Sequence, residues 1–176
     1  MYYLAEYYHE GIGTKQNYKK ALKSFKKATK LKDKTLPTTS ISYREIGLCY
    51  YYGLGIKQDY KTAYSYFLKA VEQNDKQAGW YLGNLLLDGL GGEKNPHKAF
   101  KWFKLAAEQG FSMAQDMLYG MLFYGYGIEK NEAKGVYWLL KAVQQNDSLA
   151  LFLLGELYEE GRFYEKDLEK AFEYYK

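Results

Sequence analysis

The chain has 176 residues, a formal net charge of +4 and a hydrophobic content of 47%, which is enough apolar surface to bury a core. It contains one cysteine, which excludes an internal disulfide and is compatible with the cytoplasm or the periplasm. We expect no membrane insertion and find no signal peptide, because the chain has no run of 18 apolar residues and no basic N-terminal region before an apolar stretch.

A short pattern recurs down the chain at an interval of 36 residues. An early copy, "AEYYHEGIGT", ends at Thr14, and "GLCYYYGLGI" ends 42 residues later at Ile56. The next copies end at Gly92, Ile128 and Tyr164. A period of 20–50 residues is typical of solenoids, in which each unit buries its apolar face only against its neighbours.

Each copy predicts two helices, so the fold class is all-α, a solenoid of five helix-turn-helix repeats. We place these at residues 1–41, 42–77, 78–113, 114–149 and 150–176, in one array over 1–176 whose last repeat is truncated. The extra residues of the first repeat lie near Lys32 to Ser40. A polar loop is predicted there, because Pro37 interrupts a continuous helix.

The third repeat shows the pattern of the first helix and of the loop that follows it. Its first helix carries an apolar stripe of Ala78, Leu82, Leu85 and Leu86. A helical glycine recurs as Gly47, Gly83 and Gly155, which indicates close helix–helix approach. The G-x-G loop then supplies glycines where the backbone requires a positive φ. The last copy reads Gly161-Arg162-Phe163, for which we expect a different loop conformation.

The second helix of each repeat begins after an aspartate or asparagine, residue types that cap helix N-termini well. These predicted N-caps are Asn17, Asp59, Asn95, Asn131 and Asp167. In the third repeat this helix carries a buried stripe of Ala99, Phe103, Ala106 and Ala107. Large residues recur at the Phe103 position and should fill the space between helices: Phe25, Phe67, Phe103, Leu139 and Tyr175.

These residues resemble the Sel-one-like repeat, a 36-residue relative of the tetratricopeptide repeat. The family pattern A-x-x-x-L-G-x-L-Y-x-x-G-x-G reads "ALFLLGELYEEGRF" from Ala150, and K-A-x-x-W-[YF]-x-K-A-A reads "KAFKWFKLAA" from Lys98. The resemblance covers essentially the whole chain. It implies a right-handed superhelix of antiparallel helix pairs, with a concave groove lined by the first helices.

By analogy with tetratricopeptide arrays, groove positions lie two, six, nine and ten residues after the residue that opens each first helix. They vary between copies while the packing positions do not, and they are rich in aromatic rings, which are common hot-spot residues. The predicted partner-binding residues are Tyr2, Glu6, His9, Arg44, Leu48, Tyr51, Tyr52, Trp80, Asn84, Asp88, Asp116, Phe123, Tyr124, Phe152, Glu156 and Glu159.

No constellation in the sequence predicts catalysis, a metal or a cofactor. The chain lacks HExxH, GxSxG, CxxC and Walker-type motifs. The resemblance also implies an alternative function, because part of the family is credited with β-lactam- or peptidoglycan-directed hydrolysis. Nucleic acid is also disfavoured as a partner, because many of the 21 tyrosines fall in the packing pattern. Cys49 occupies an apolar position and is predicted to be buried.

The favoured function is therefore a non-enzymatic scaffold or adaptor that binds a peptide or protein surface. Charge is uneven, with +6 over residues 1–34 and −3 over residues 151–176. This polarity either steers a charged partner or reflects solvated helix faces. Apolar terminal helices would also favour end-to-end self-association, which light scattering would detect.

Overall fold

The computed structural model describes residues 1–30 and 37–176, which form helices and connecting turns with no strand among them. These residues divide into two compact units, Met1–Asn95 (unit 1) and Pro96–Lys176 (unit 2). Unit 1 contains α1 (Tyr2–Glu10), α2 (Tyr18–Ala28), α3 (Pro37–Tyr52), α4 (Tyr60–Val71) and α5 (Lys76–Asp88). Unit 2 contains α6 (Pro96–Glu108), α7 (Ser112–Tyr124), α8 (Glu132–Val143), α9 (Ser148–Glu160) and α10 (Leu168–Tyr175).

Within each unit, every helix packs against the helix before it and the helix after it in sequence. This serial packing is the arrangement of an α/α solenoid, and it confirms the predicted fold class. The assignment of residues 1–176 to a single array stays a prediction.

Small residues and single large aromatic rings fill the core, as the apolar stripes on the predicted helices indicate. Ala99, Phe103, Ala106 and Ala107 are all buried, and Cys49 is buried as expected. In unit 1 a core cluster consists of Ala5, Ala21, Leu22, Phe25, Ile46 and Cys49. In unit 2 a core cluster consists of Tyr119, Phe123, Val136, Leu139, Ala142, Ala150, Leu154 and Leu157.

Two positions on the predicted stripes differ from expectation. Leu86 is only partly buried, and Tyr175 is exposed. The Tyr175 hydroxyl donates a hydrogen bond to Glu159 Oε2 at 2.6 Å, so this side chain lies along α9 at the protein surface. The ring of Tyr175 also packs over Gly155, where a Cβ would clash with it.

Side-chain caps begin the second helices α2, α4, α8 and α10 as predicted, and the predicted cap at Asn95 stays a prediction. Asn17 Oδ1 accepts from the Lys20 amide at 3.0 Å, and Asn131 Oδ1 accepts from the Lys134 amide at 2.9 Å. Asp59 and Asp167 cap α4 and α10 in the same way. Each cap satisfies an amide of the first turn that has no partner within its helix.

Helical glycines mark close contacts between neighbouring helices. A Cβ on Gly47 of α3 would lie 2.6 Å from Phe67 Cε1 of α4, closer than two carbons can approach. At Gly135 of α8, a Cβ would lie 3.0 Å from the backbone nitrogen of Phe123. The predicted reason for the glycine is confirmed at position 47, where only a hydrogen leaves room for the ring.

The start of α3 corrects the predicted loop near Lys32 to Ser40. Residues 37–40 are helical, with Pro37 at the first helical position, where its fixed φ and missing amide are tolerated. Residues 32–36, the rest of that predicted loop, lie outside the described residues.

The Arg162–Phe163 turn keeps the loop conformation that we expected it to lose. Phe163 has φ +62°, close to the +68° of the equivalent Gly127. The Arg162 amide donates to Leu157 O at 3.0 Å, and the equivalent Tyr126 amide donates to Met121 O at 2.9 Å. The backbone hydrogen bonds of the turn therefore hold Phe163 in the left-handed conformation, although that conformation is strained for a residue with a Cβ.

Candidate functional site

The predicted groove residues of unit 1 lie at its surface to different degrees. Tyr52 and Asp88 are exposed, and Tyr52 has a relative accessibility of 56%. The remaining predicted positions are partly buried: Tyr2, Glu6, His9, Arg44, Leu48, Tyr51, Trp80 and Asn84. Their polar and aromatic groups therefore combine contacts within the unit with partial access to solvent.

Aromatic rings form a connected cluster between α3 and α5. The Tyr51 ring lies 4.8 Å from the Tyr52 ring and 5.7 Å from the Tyr81 ring, both edge-on. Tyr81 stacks on Phe67 at 5.0 Å and meets Trp80 edge-on at 5.0 Å. Edge-on and stacked pairs of this kind hold the rings in place. The structure thus brings Tyr51, Tyr52 and Trp80 into one patch.

Tyr81 is a member of this patch that the sequence analysis missed. Burial and the neighbouring Tyr52 hydroxyl raise the Tyr81 pKa well above its ordinary value of 10.0. Its position in the repeat lies one residue past a predicted groove position and outside the apolar stripe. Its adjacency to Trp80 was the available signal.

An ion-pair network lies beside these rings. Arg44 Nη1 donates to Asp75 Oδ2 at 3.0 Å, and Arg44 Nη2 donates to Glu45 Oε1 at 3.1 Å. The Asp75 side chain is almost fully buried, and that of Arg44 is mostly buried. Arg44 is therefore held as a strut between α3 and the N-terminus of α5, with little freedom to reach a partner.

The N-terminal helix contributes two predicted residues that bond to each other. The Tyr2 hydroxyl donates to Glu6 Oε1, and burial together with this bond raises the Tyr2 pKa. His9 Nδ1 lies 2.7 Å from Glu10 Oε1, and its ring packs edge-on against Tyr18. The side chains of Tyr2, Glu6 and His9 thus all have partners within unit 1.

In unit 2 the predicted residues separate into exposed and buried groups. Tyr124, Phe152 and Glu159 are exposed, and Glu156 is partly buried. Phe123 has a relative accessibility of 4%, so its expected place on a binding surface is wrong. The reason is that Gly135, which has no Cβ, allows α8 to approach the Phe123 backbone closely.

A cavity of about 340 Å³ adjoins Tyr124. Its wall combines aromatic rings with side chains of both charges: Phe123, Tyr124, Lys130, Glu132, Arg162 and Phe163. Lys130 pairs with Glu132, and Arg162 pairs with Glu160 at 3.0 Å. The exposed ring of Tyr124 thus has a polar recess beside it that could take a side chain of a partner.

Asp116, predicted for the groove, is instead nine-tenths buried on α7. It faces Asp147, the N-cap of α9, within hydrogen-bonding reach. Burial, and after it the negative charge of Asp147, raises the pKa of Asp116 from 3.8 to about 7. Sequence reasoning missed Asp147, whose recurrence as Asp75 after an asparagine was the available signal.

Asp116 should make the stability of the protein depend on pH. Because its folded-state pKa exceeds that of the unfolded chain, stability present near pH 4 is lost as the pH rises toward 7. Asp116→Asn should remove this loss, which is on the order of 4 kcal/mol at about 1.4 kcal/mol per pKa unit. Urea unfolding should show a clearly larger gain for Asp116→Asn at pH 8 than at pH 4.5. Asp88→Asn, at an exposed position, is the control, and an equal effect of Asp116→Asn at both pH values would contradict the assignment.

Metal-ligating and nucleophilic side chains are groups that catalysis often uses. Among residues 1–30 and 37–176, no group of three His, Cys, Asp or Glu side chains is arranged to hold a metal ion. Burial raises the pKa of the Cys49 thiol to about 12, which keeps it protonated at neutral pH. No helix within those residues is long and apolar enough to span a membrane.

Comparison with known protein families assigns the chain to one of them. The family model described as "Sel1 repeat" matches residues 1–33, 40–75, 77–111, 117–147 and 148–176. The chain belongs to the Sel1 repeat family. Proteins of this family are generally scaffolds for protein interactions, and they are typically not catalytic.

Two solved Sel1 repeat structures are similar to this chain. A Sel1 repeat protein from Oxalobacter formigenes is 33% identical, with a TM-score of 0.88 over 99% of this chain and 69% of the other. A protective antigen of uropathogenic Escherichia coli with the same repeat fold is 28% identical. Its TM-score is 0.83 over 98% of this Sel1 repeat chain and 36% of its own length. No curated protein sequence gives a significant match.

Proposed function

We propose that this Sel1 repeat chain is a non-enzymatic scaffold that binds a peptide or protein surface in a concave groove lined by its first helices. The observation that supports this most directly is the exposure of aromatic rings at the ends of α3 and α7. Tyr52 and Tyr124 occupy equivalent positions two repeats apart, and they are 56% and 58% exposed. Their preceding neighbours, Tyr51 and Phe123, pack inward and hold them in place.

Rigidly presented tyrosine and tryptophan rings suit recognition of another protein. They offer a large apolar area with a polar edge, and they lose little conformational entropy on binding because they have only two side-chain torsions. The cluster of Tyr51, Tyr52, Trp80 and Tyr81 in unit 1 supplies such a patch. In unit 2, Tyr124 and its adjoining cavity supply another.

The remaining positions of the proposed surface give it polarity. Phe123 and Asp116 are buried, and Arg44 is an internal strut, so acidic side chains predominate among the charged positions that remain, namely Glu6, Asp88, Glu156 and Glu159. An acidic surface interspersed with aromatic rings attracts basic and apolar side chains. We therefore propose that the partner presents a segment containing both.

Substitution of two rings tests the scaffold proposal. Tagged wild-type protein is used to capture partners from a lysate of the source cells, with identification by mass spectrometry. For a partner so identified, Trp80→Ala with Tyr124→Ala should weaken binding by at least about 30-fold, because loss of even one hot-spot ring costs about 2 kcal/mol or more. Binding is measured by calorimetry, and circular dichroism confirms that the helices persist.

Tyr137→Ala is the matched control, because Tyr137 is 54% exposed but lies on the second helix α8. Its loss should leave affinity unchanged. Equal affinity of the double variant and the wild type would reject the first-helix surface. Turnover of a fluorogenic β-lactam by purified protein at ordinary enzyme rates would reject the non-enzymatic assignment.

A further inference from the structure

Two aspartates at equivalent positions begin the first helices α5 and α9, 72 residues apart in sequence. Asp75 uses its two oxygens for different tasks. Oδ1 accepts from the Ala78 amide at 3.0 Å and caps α5, while Oδ2 accepts from the Arg44 guanidinium at 3.0 Å. A capping aspartate in this fold therefore has room for a guanidinium on its second oxygen.

Asp147 caps α9 in the same manner but faces a different residue. Its Oδ1 accepts from the Leu149 amide at 3.1 Å and from the Ala150 amide at 3.3 Å. The position equivalent to Arg44, two repeats later, is Asp116. Where unit 1 places a cation against the capping carboxylate, unit 2 places a second carboxyl group.

The second carboxyl group has an unmet hydrogen-bonding requirement. Asp116 is 9% exposed, and its Oδ1 has no hydrogen-bond partner in the described part of the chain. A buried carboxyl oxygen without a partner is costly, and two close carboxyl groups cannot both ionise without repulsion. Asp147 remains partly exposed, so the pair can be reached from solvent on its side.

We propose that Asp116 and Asp147 form a pocket for a cationic side chain of the partner, an arginine above all, which takes the place that Arg44 fills in unit 1. This inference rests on the proposed function, since Asp116 and Asp147 lie on the first-helix side of unit 2. A planar guanidinium can donate to two carboxylates at once, which a compact ammonium does less well. Its charge would favour the ionised form of Asp116, the carboxyl group that burial makes harder to ionise.

The pocket can be tested without knowing the partner. The ¹⁵N-labelled full chain is titrated at pH 7.5 with N-acetyl-arginine methylamide and, separately, with the uncharged isostere N-acetyl-citrulline methylamide. We expect saturable shifts of the Leu149 and Ala150 amide signals with the arginine compound only. At pH 5.5, where the pair holds its proton, the arginine compound should bind several-fold more weakly.

Two substitutions at Asp116 sharpen the test. Asp116→Arg supplies an internal guanidinium, as in unit 1, and should abolish the arginine-dependent shifts. Asp116→Asn is almost isosteric and should weaken binding of the arginine compound about 3- to 10-fold. It keeps the test available if Asp116→Arg does not fold. Glu173→Gln, at an exposed position on the second helix α10, is the control and should leave the titration unchanged.

Several results would overturn the pocket: no saturable shift, equal shifts with citrulline, or unaltered binding by both Asp116 variants. Failure of the pocket is distinguishable from failure of the scaffold proposal. If partner binding depends on Trp80 and Tyr124 but no arginine-dependent shift is observed, only the pocket proposal is rejected. If arginine-dependent shifts are observed but the partner binds the Trp80→Ala, Tyr124→Ala double variant as tightly as the wild type, only the first-helix groove is rejected.

Discussion

We expect Phe67→Ala to lower the free energy of unfolding by about 3–5 kcal/mol, the usual cost of truncating a buried aromatic ring. Phe67 is completely buried between α3 and α5, where it stacks on Tyr81 at 5.0 Å and packs over Gly47. Truncation removes these contacts and leaves a cavity, because the neighbouring helices are fixed by their own packing. Urea denaturation followed by circular dichroism measures the loss.

A double-mutant cycle makes this prediction specific to the Gly47 contact. Gly47→Ala alone should destabilise, because its Cβ would lie 2.6 Å from the Phe67 ring. In the Phe67→Ala background the same substitution should cost little or even stabilise, since alanine favours the helix by about 1 kcal/mol over glycine. If the effects of Gly47→Ala and Phe67→Ala on stability add, the contact with the Phe67 ring is not the reason for the glycine. Phe172→Ala, at an exposed ring, should change stability by less than about 0.5 kcal/mol.

The second large effect should follow removal of the Asp75 carboxylate. Asp75→Ala deletes the cap of α5 and the main partner of the largely buried Arg44. We expect a loss of about 2–4 kcal/mol, less than for a completely orphaned buried charge because Glu45 still pairs with Arg44. Thermal and urea unfolding measure the change.

Asp75→Asn separates the two roles, because an asparagine oxygen still caps a helix while the ion pair is lost. It should retain roughly half of the stability that Asp75→Ala removes. The comparison variant is Asp59→Ala at the exposed cap of α4, which should cost less than Asp75→Ala. Equal losses at both caps would show that the Arg44 pair contributes nothing beyond the cap.

Features encoded within a single repeat could be predicted from the sequence. Positions 21, 63, 99, 135 and 171 hold alanine or glycine in every copy, and the structure buries all five. The caps at Asn17, Asp59, Asn131 and Asp167 were equally clear, because an N-cap depends on its own side chain and the next few amides. Local chemistry of this kind repeats whenever the residues repeat.

Features that depend on contacts between helices were not predictable from the same pattern. The pairing of Arg44 with Asp75 joins α3 to the start of α5 across 31 residues, and the local sequence around either residue does not indicate it. The burial of Phe123 depends on the glycine at 135, one helix further along. Phe163 was expected to change its loop, yet the backbone hydrogen bonds of the turn determine its φ.

One position of the repeat has a consequence for how the family can diversify. Residues 44, 80 and 116 are equivalent, and they hold an arginine, a tryptophan and an aspartate. A change of one or two nucleotides there can reverse the local charge or exchange it for a ring, and the change costs stability where the replaced side chain, like Arg44, has a buried partner. Under the proposed function, natural selection can retune this position one codon at a time, while the helices that present it are inherited intact.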